Sequence, residues 1–525
     1  MTGGIAERLA ERARLSPERP ALVETHRGRR RFLTYGELED RVARLATALG
    51  ERGLAPGEAV LLFVPMSIEL YTVFLAVLHA GGVAVFVDAW SGRARLEAAI
   101  RRTRPRIFVG SPRAHLLRLV HGAMRSIPAL PPVDRRGETL SRLVAGAGAR
   151  APAPRGDGDP ALVTFTTGST GLPKAAVRSH GFLWDQHLAL SRSLGPGEGE
   201  IDLATLPIFV LHDLAAGATC VLADFDPRRP AEIDPRVIHQ QIRSEGVASA
   251  TGSPAFFDRL LRWCEARGIR LPLRRLFTGG APVLPDLARL LEERVEGRSH
   301  VVYGSTEAEP ISVIEVGEMR SAMAARAGAP DGVCVGPPVP DIHVRIVHPH
   351  DGELVLGGDG WRGLQCARGE AGEIVVSGPQ VLTTYLDDAP AERATKIRDA
   401  DVVWHRTGDG GRLDADGRLW LLGRVGARVV RGGESWWSLP AETAAFGIEG
   451  VRHAAYFGVP DPALGQRAVL CLETSSRIAH ETARARLAPI PVDDLHVVAS
   501  IPRDPRHASK TDLGALRARL GLTKA

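Results

Sequence analysis

The stretch TFTTGSTGLPK, residues 164–174, sets Gly168 and Gly171 among Thr166, Thr167, Ser169 and Thr170, and closes on Lys174. Glycines let backbone amides converge on an anion, and neighbouring hydroxyls add donors. The string therefore reads as a phosphate-binding loop. It is not a Walker A loop: the Gly168-to-Lys174 spacing is wrong, and Ala175 stands where a magnesium-holding Ser or Thr would be. Its lysine is conspicuous. The chain carries 66 Lys plus Arg, yet its lysines are only Lys174, Lys396, Lys510 and Lys524. Arginine is a planar fork suited to bidentate pairing, whereas lysine is a point charge on a flexible stem. A loop closing over a polyphosphate can use the point charge where a fork does not fit. Lys396 and Lys524 belong to no such pattern and read as solvated cations.

Further short strings carry polar chemistry downstream. They are Gly279, Gly280, Ala281 and Pro282; Tyr303, Gly304, Ser305, Thr306 and Glu307; RTGD ending on Asp409; Gly423 with Arg424; and Lys510 in RHASKTDLGALR. Taken singly, each is a capped turn, a surface acid or a terminal-loop lysine. Their value lies in their order.

The elements that must position them follow an α/β pattern. The apolar run over residues 59–88 is divided by Pro65, Glu69, Gly81 and Gly82. It reads as strand 60–64, helix 67–80 and strand 83–87, a buried parallel βαβ unit rather than a membrane span. Residues 113–127 read as one helix, and the Ala-, Gly- and Pro-rich residues 145–160 as a linker. Strand ALVTFT follows, and alternation of helices and strands continues to about residue 300, which implies parallel sheets. From about Gly336 short strands between Gly and Asp turns suggest a small β-rich subdomain, and the last hundred or so residues return to mixed α and β. We place the domain boundary just after Arg424.

Composition excludes some classes. A charge of +5 on 525 residues, with acids interspersed, implies no nucleic-acid surface. Cys220, Cys264, Cys334, Cys366 and Cys471 are widely spaced, which reads as reduced thiols in a cytoplasmic protein. The first residues form an amphipathic pattern without the apolar core of a secretory signal.

In order and spacing, the five strings from the glycine loop to Gly423-Arg424 resemble the signature of the adenylate-forming superfamily of acyl-CoA synthetases, nonribosomal peptide adenylation domains and luciferases. The resemblance covers nearly the whole chain. It implies a large N-terminal adenylating domain, residues 1–424, of stacked α/β subdomains plus the β-rich subdomain. A small mobile α+β C-terminal domain, residues 425–525, would carry Lys510. ATP and Mg²⁺ are the implied cofactors. The glycine loop would hold the β- and γ-phosphates, and Gly279 to Pro282 would let adenine lie close to backbone. Tyr303 would stack on adenine, and Glu307 would hold Mg²⁺, a hard cation that prefers oxygen donors. Asp409 would take both ribose hydroxyls with Arg424 beside it. Lys510 would reach the substrate carboxylate and the α-phosphate.

Longer stretches, including LPIFVLHDLAAGATCVLADFDPRRPA and VVWHRTGDGGRLDADGRLWLLGR, resemble the olefin β-lactone synthetase branch. That branch converts a long-chain 2-alkyl-3-hydroxy fatty acid and ATP to an acyl adenylate, then closes the β-hydroxyl on the acyl carbon and expels AMP. Its pathways imply thiolase-like, reductase and decarboxylase partners. Acyl-CoA synthetases usually carry His where this chain has Val210, and a tunnel-lining Asp or Lys and Lys where it has Gly426 and Val430. An intramolecular hydroxyl needs no thiol tunnel, because proximity supplies the nucleophile. It needs a destination for its proton, and His212 is the candidate, beside an acyl pocket expected along residues 208–214 and 251–257. The branch has RHNAK near the end where this chain reads RHASK, with Lys510 in register. The alternatives are an acyl-CoA synthetase, an acyl-AMP ligase that loads a carrier protein, and a non-catalytic nucleotide-binding scaffold.

Overall fold

The computed structural model describes residues 4–26, 28–87, 92–167, 173–195, 197–326, 331–503 and 511–522. A large N-terminal domain holds a five-stranded and an eight-stranded sheet. In the first sheet the spatial order is Ile107–Gly110, Ala59–Phe63, Val83–Phe86, Pro160–Thr167 and Pro173–Ser179, with only the last pair antiparallel. In the second, Arg298–Ser305, Arg275–Gly279, Ser249–Gly252, Ile201–Ala204, Thr219–Leu222 and Pro20–His26 run parallel, and antiparallel strands Ala308–Glu315 and Arg29–Thr34 close the edges.

The apolar run behaves as its pattern predicts. Ser67 caps the helix Ile68–His79 by accepting from the Leu70 amide, and every residue of that helix is buried. It packs against Tyr35–Glu51, whose start is a reciprocal Thr34–Glu37 capping box. Each large aliphatic side chain buried there contributes about 1.5–3 kcal/mol, which outweighs the helix's lack of a polar face. No helix among the described residues is long and apolar enough to cross a membrane.

Two expectations change. The helix over residues 113–127 breaks at His121 into Pro112–Val120 and Gly122–Arg125, because His121 takes extended dihedrals. The linker is no spacer between bodies. Its backbone is fastened along the first sheet's domain: Ala153 donates to the His79 carbonyl at 2.8 Å, the His79 ring meets the Arg150 carbonyl at 2.8 Å, and Arg44 donates to the Ala147 carbonyl at 2.8 Å. Proline and glycine deny it regular structure, and neighbouring polar groups satisfy its backbone instead.

The β-rich part is a six-stranded sheet that contains Val402–Leu413 paired with Leu419–Arg424. Beyond it, a smaller C-terminal domain builds its own core on the sheet His453–Asp461, Gly465–Glu473 and Asp494–Val498. Trp437 joins the two parts, its ring filling the space at Gly410 that any Cβ would occupy.

Candidate active site

The antiparallel pair Pro160–Thr167 and Pro173–Ser179 sets Lys174 opposite Thr166 at the end of the first sheet. Glu307 sits in the tight turn between Arg298–Ser305 and Ala308–Glu315 at the edge of the second. Residues 381–386 lace the two sheets together. The Leu382 amide donates to the Glu307 carbonyl at 2.7 Å, and the Leu386 amide donates to the Ala175 carbonyl at 2.9 Å. Between these anchors Tyr385 donates its hydroxyl to Glu307 Oε1 at 3.2 Å, and Lys174 Nζ lies 5.6 Å from the centre of the same ring. Burial pushes the Lys174 ammonium below its ordinary range, while Glu307 and Asp388 pull it back up. Burial, then Glu307, raises the Tyr385 hydroxyl, so it stays a protonated donor.

Asp409 is the second anchor. Tyr303 donates its hydroxyl to Asp409 Oδ2 at 3.0 Å, and Arg424 Nη1 donates to Oδ1 at 2.8 Å. The ladder explains the second contact, since Asp409 and Arg424 are register partners across adjacent strands. Asp409 holds the Arg424 guanidinium above its usual range, and burial followed by Asp409 raises the Tyr303 hydroxyl. Each carboxylate oxygen accepts more than one hydrogen bond, so the pair leaves acceptor capacity for a diol. The first residue of the RTGD string does a different job. Arg406 is buried on Glu373 at 2.7 Å and donates to the Gly352 and His350 carbonyls.

Gly279 ends the strand Arg275–Gly279 where a Cβ would collide with the Val302 carbonyl. Gly280 then turns with φ of +87°, and Ala281 and Pro282 form a partly exposed rim. Gly304 is as tight: a Cβ there would meet the Ala308 carbonyl oxygen at 2.9 Å. The Ser305 hydroxyl is buried without a partner among the described residues, and the Thr306 carbonyl accepts from Arg178 at 3.0 Å. Arg178 is a buried cation behind the turn that the motifs do not announce; its signal is a charge inside the apolar strand KAAVRS.

Lys174, Tyr303, Glu307, Asp409 and Arg424 are thus brought to one place. Gly168, Ser169, Thr170, Gly171 and Lys510 lie outside the described residues, as do the side chains of Thr166 and Thr167. The reading of Lys396 as solvated is overturned. Lys396 is 5 % exposed, donates to the Leu382 carbonyl, and lies 3.2 Å from His405 Nδ1 and 5.1 Å from the centre of the Tyr385 ring. Burial pushes it down to about 7. Composition alone could have flagged it, as lysine is the scarce cation here.

His212 lies on the helix Pro207–Ala216, buried, with its Nδ1 3.0 Å from Nδ1 of His187 on the helix His180–Ser193. Its Nε2 finds no partner among the described residues. Burial, then His187, pushes His212 down to about 3, and burial takes His187 down to about 4. Both rings are neutral near pH 7.

Comparison with known proteins matches this architecture. Residues 9–386 match the family described as AMP-binding enzyme. An olefin β-lactone synthetase of Stenotrophomonas maltophilia is 36 % identical over 89 % of this chain and 87 % of its own length. One from Xanthomonas campestris is 35 % identical over 85 % of this chain and 81 % of its own. A feruloyl-CoA synthase of Amycolatopsis is 30 % identical over 90 % of each chain. Among solved structures, ATP-bound MatB of Rhodopseudomonas palustris shares the fold with a TM-score of 0.81 at 23 % identity, over 99 % of both chains. The chain belongs to the AMP-binding enzyme family and is an ATP-dependent, AMP-forming ligase.

Proposed function

We propose that the enzyme activates a long-chain 2-alkyl-3-hydroxy fatty acid as its acyl adenylate and then closes it to a β-lactone. The observation that carries the second step is likeness to the two olefin β-lactone synthetases along most of the chain. In the first step a carboxylate oxygen attacks the α-phosphorus of ATP, and the bond to pyrophosphate breaks with its electron pair on pyrophosphate. In the second the β-hydroxyl oxygen attacks the acyl carbon, the bond to AMP breaks, AMP keeps the electron pair, and the hydroxyl proton is released.

The chain's own groups divide this work. Lys174 offsets charge on the polyphosphate, and Lys510 is assigned to the substrate carboxylate and α-phosphate. Asp409 and Arg424 orient the ribose, and Tyr303 fixes Asp409 while its ring borders the adenine. Glu307 fits a magnesium ion bound with the nucleotide, as an oxygen donor already aimed by Tyr385. Mg²⁺ there would supply positive charge to the phosphates. For the acyl chain we assign residues 208–214 and 251–257, which are largely buried and apolar. An imidazole held near 3 is a poor proton acceptor at neutral pH. We therefore assign His212, paired with His187, to orienting the hydroxyl rather than ionising it.

The test is incubation with ATP, Mg²⁺ and a racemic long-chain 2-alkyl-3-hydroxy acid, with and without CoA, followed by NMR. A strained-ring ester formed without CoA is expected. A thioester formed only with CoA overturns the lactone step in favour of an acid–thiol ligase, the second reading, which the feruloyl-CoA synthase relative supports.

A further inference from the structure

Lys396 is a buried ammonium in a chain that otherwise writes almost every cation as arginine. Burying a charge is expensive unless partners replace water, and an apolar residue would fill the same space without that cost. Its partners are therefore informative. It pairs in register with His405, whose ring is fully buried and held well below its ordinary range, so Nδ1 is a neutral acceptor for the ammonium. Its second bond goes to the carbonyl of Leu382, whose own amide holds the Glu307 carbonyl. Its third contact is the ring of Tyr385, whose hydroxyl holds the Glu307 carboxylate and whose ring also meets Lys174. One side chain thus touches the strand that leads to Asp409 and the segment that ties Glu307 to Lys174.

We propose that Lys396 is a positioning residue for adenylation: it clamps residues 382–385 so that Tyr385 aims Glu307 and Lys174 together at the magnesium-bound polyphosphate. The inference rests on the roles proposed above for Glu307 and Lys174. It adds a buried amine behind the site, whose cationic form offsets the Glu307 charge from inside while Lys174 offsets it from the nucleotide side. Lysine suits the place because a compact ammonium reaches one carbonyl and one imidazole, whereas a guanidinium would need a wider space.

The experiment is ATP–pyrophosphate exchange by the full chain, with MgATP, free Mg²⁺ and fatty acid varied separately. Lys396→Met keeps the length of the stem and removes the charge. The expected result is a rise of roughly tenfold in KM for MgATP and in half-saturating Mg²⁺, with KM for the acid changed by less than roughly twofold. An unchanged MgATP dependence overturns the proposal. So does a loss in which both KM values rise together and thermal stability falls, since that is a packing effect. Where Lys396→Met does not fold, Tyr385→Phe removes only the hydroxyl that aims Glu307. A rise in half-saturating Mg²⁺ of roughly threefold is then expected, and none overturns the proposal. Wild-type exchange that needs no divalent cation, or a Glu307→Gln variant with wild-type Mg²⁺ dependence, instead overturns the site assignment beneath it.

Discussion

The corner proposed for the nucleotide and the corner proposed for the acyl chain treat their ionisable groups in opposite ways. At the nucleotide corner the carboxylates are partnered: Asp409 lies between Tyr303 and Arg424, and Glu307 accepts from Tyr385 near Lys174. At the acyl corner His187 and His212 meet each other through their Nδ1 atoms, and burial strips them of charge. Desolvation acts on both, and the partners decide whether a group stays ionised. The lesson is that the corner proposed for phosphate chemistry holds paired charges, whereas the one proposed for the acyl chain is kept neutral.

Substitutions can break that contrast, beginning with the largest effect. Lys174→Ala removes the charge we propose for the polyphosphate, and we expect pyrophosphate exchange to fall on the order of 10²–10³-fold. Exchange within a factor of a few of wild type would place the phosphates elsewhere. Glu307→Gln keeps the shape and removes the charge. The Mg²⁺ concentration for half-maximal exchange should rise by at least about tenfold, in titrations at saturating ATP. Arg424→Leu leaves Asp409 with Tyr303 alone. Because the Arg424 side chain is 68 % exposed, the loss should be only about 1 kcal/mol, seen as a several-fold higher KM for ATP.

The smallest effect tests the neutral corner through stability. An unfolded histidine takes its proton near the ordinary 6.5, whereas His212 does so near 3 and His187 near 4. Between these values the unfolded chain binds more protons. The contribution is therefore fully present above pH 6.5 and is lost as pH falls toward 3. His212→Phe should flatten the decline of unfolding free energy between pH 6.5 and 4 by up to about 1.4 kcal/mol per pH unit, read from urea titrations. An unaltered slope would mean that His212 is charged, or reached by water, in the fold.

Much of the nucleotide corner is legible in sequence because its groups sit in short strings at strand ends, where spacing along the chain becomes spacing in the site. Asp409 and Arg424 are 15 residues apart and meet because a hairpin ladder pairs them. Lys396 was misread for the opposite reason. It belongs to no string, and its environment is built from Leu382, Tyr385 and His405 across a separate strand and a loop. His212 was legible as an unusual residue in an apolar segment, but its partner His187 lies on another helix. The same limit applies to residues 145–160, whose composition shows only that they form no element.

The amino-acid sequence by itself determined the α/β alternation, the order of the nucleotide motifs and the scarcity of lysine, because periodicity, glycine placement and composition are local properties. Tertiary structure alone decided which charges survive burial. It set Tyr303 on Asp409, sealed His212 against His187, and drew Lys396 beneath the Glu307 turn. A group's ionisation depends on the water it loses and the partners it gains, and both come from distant parts of the chain.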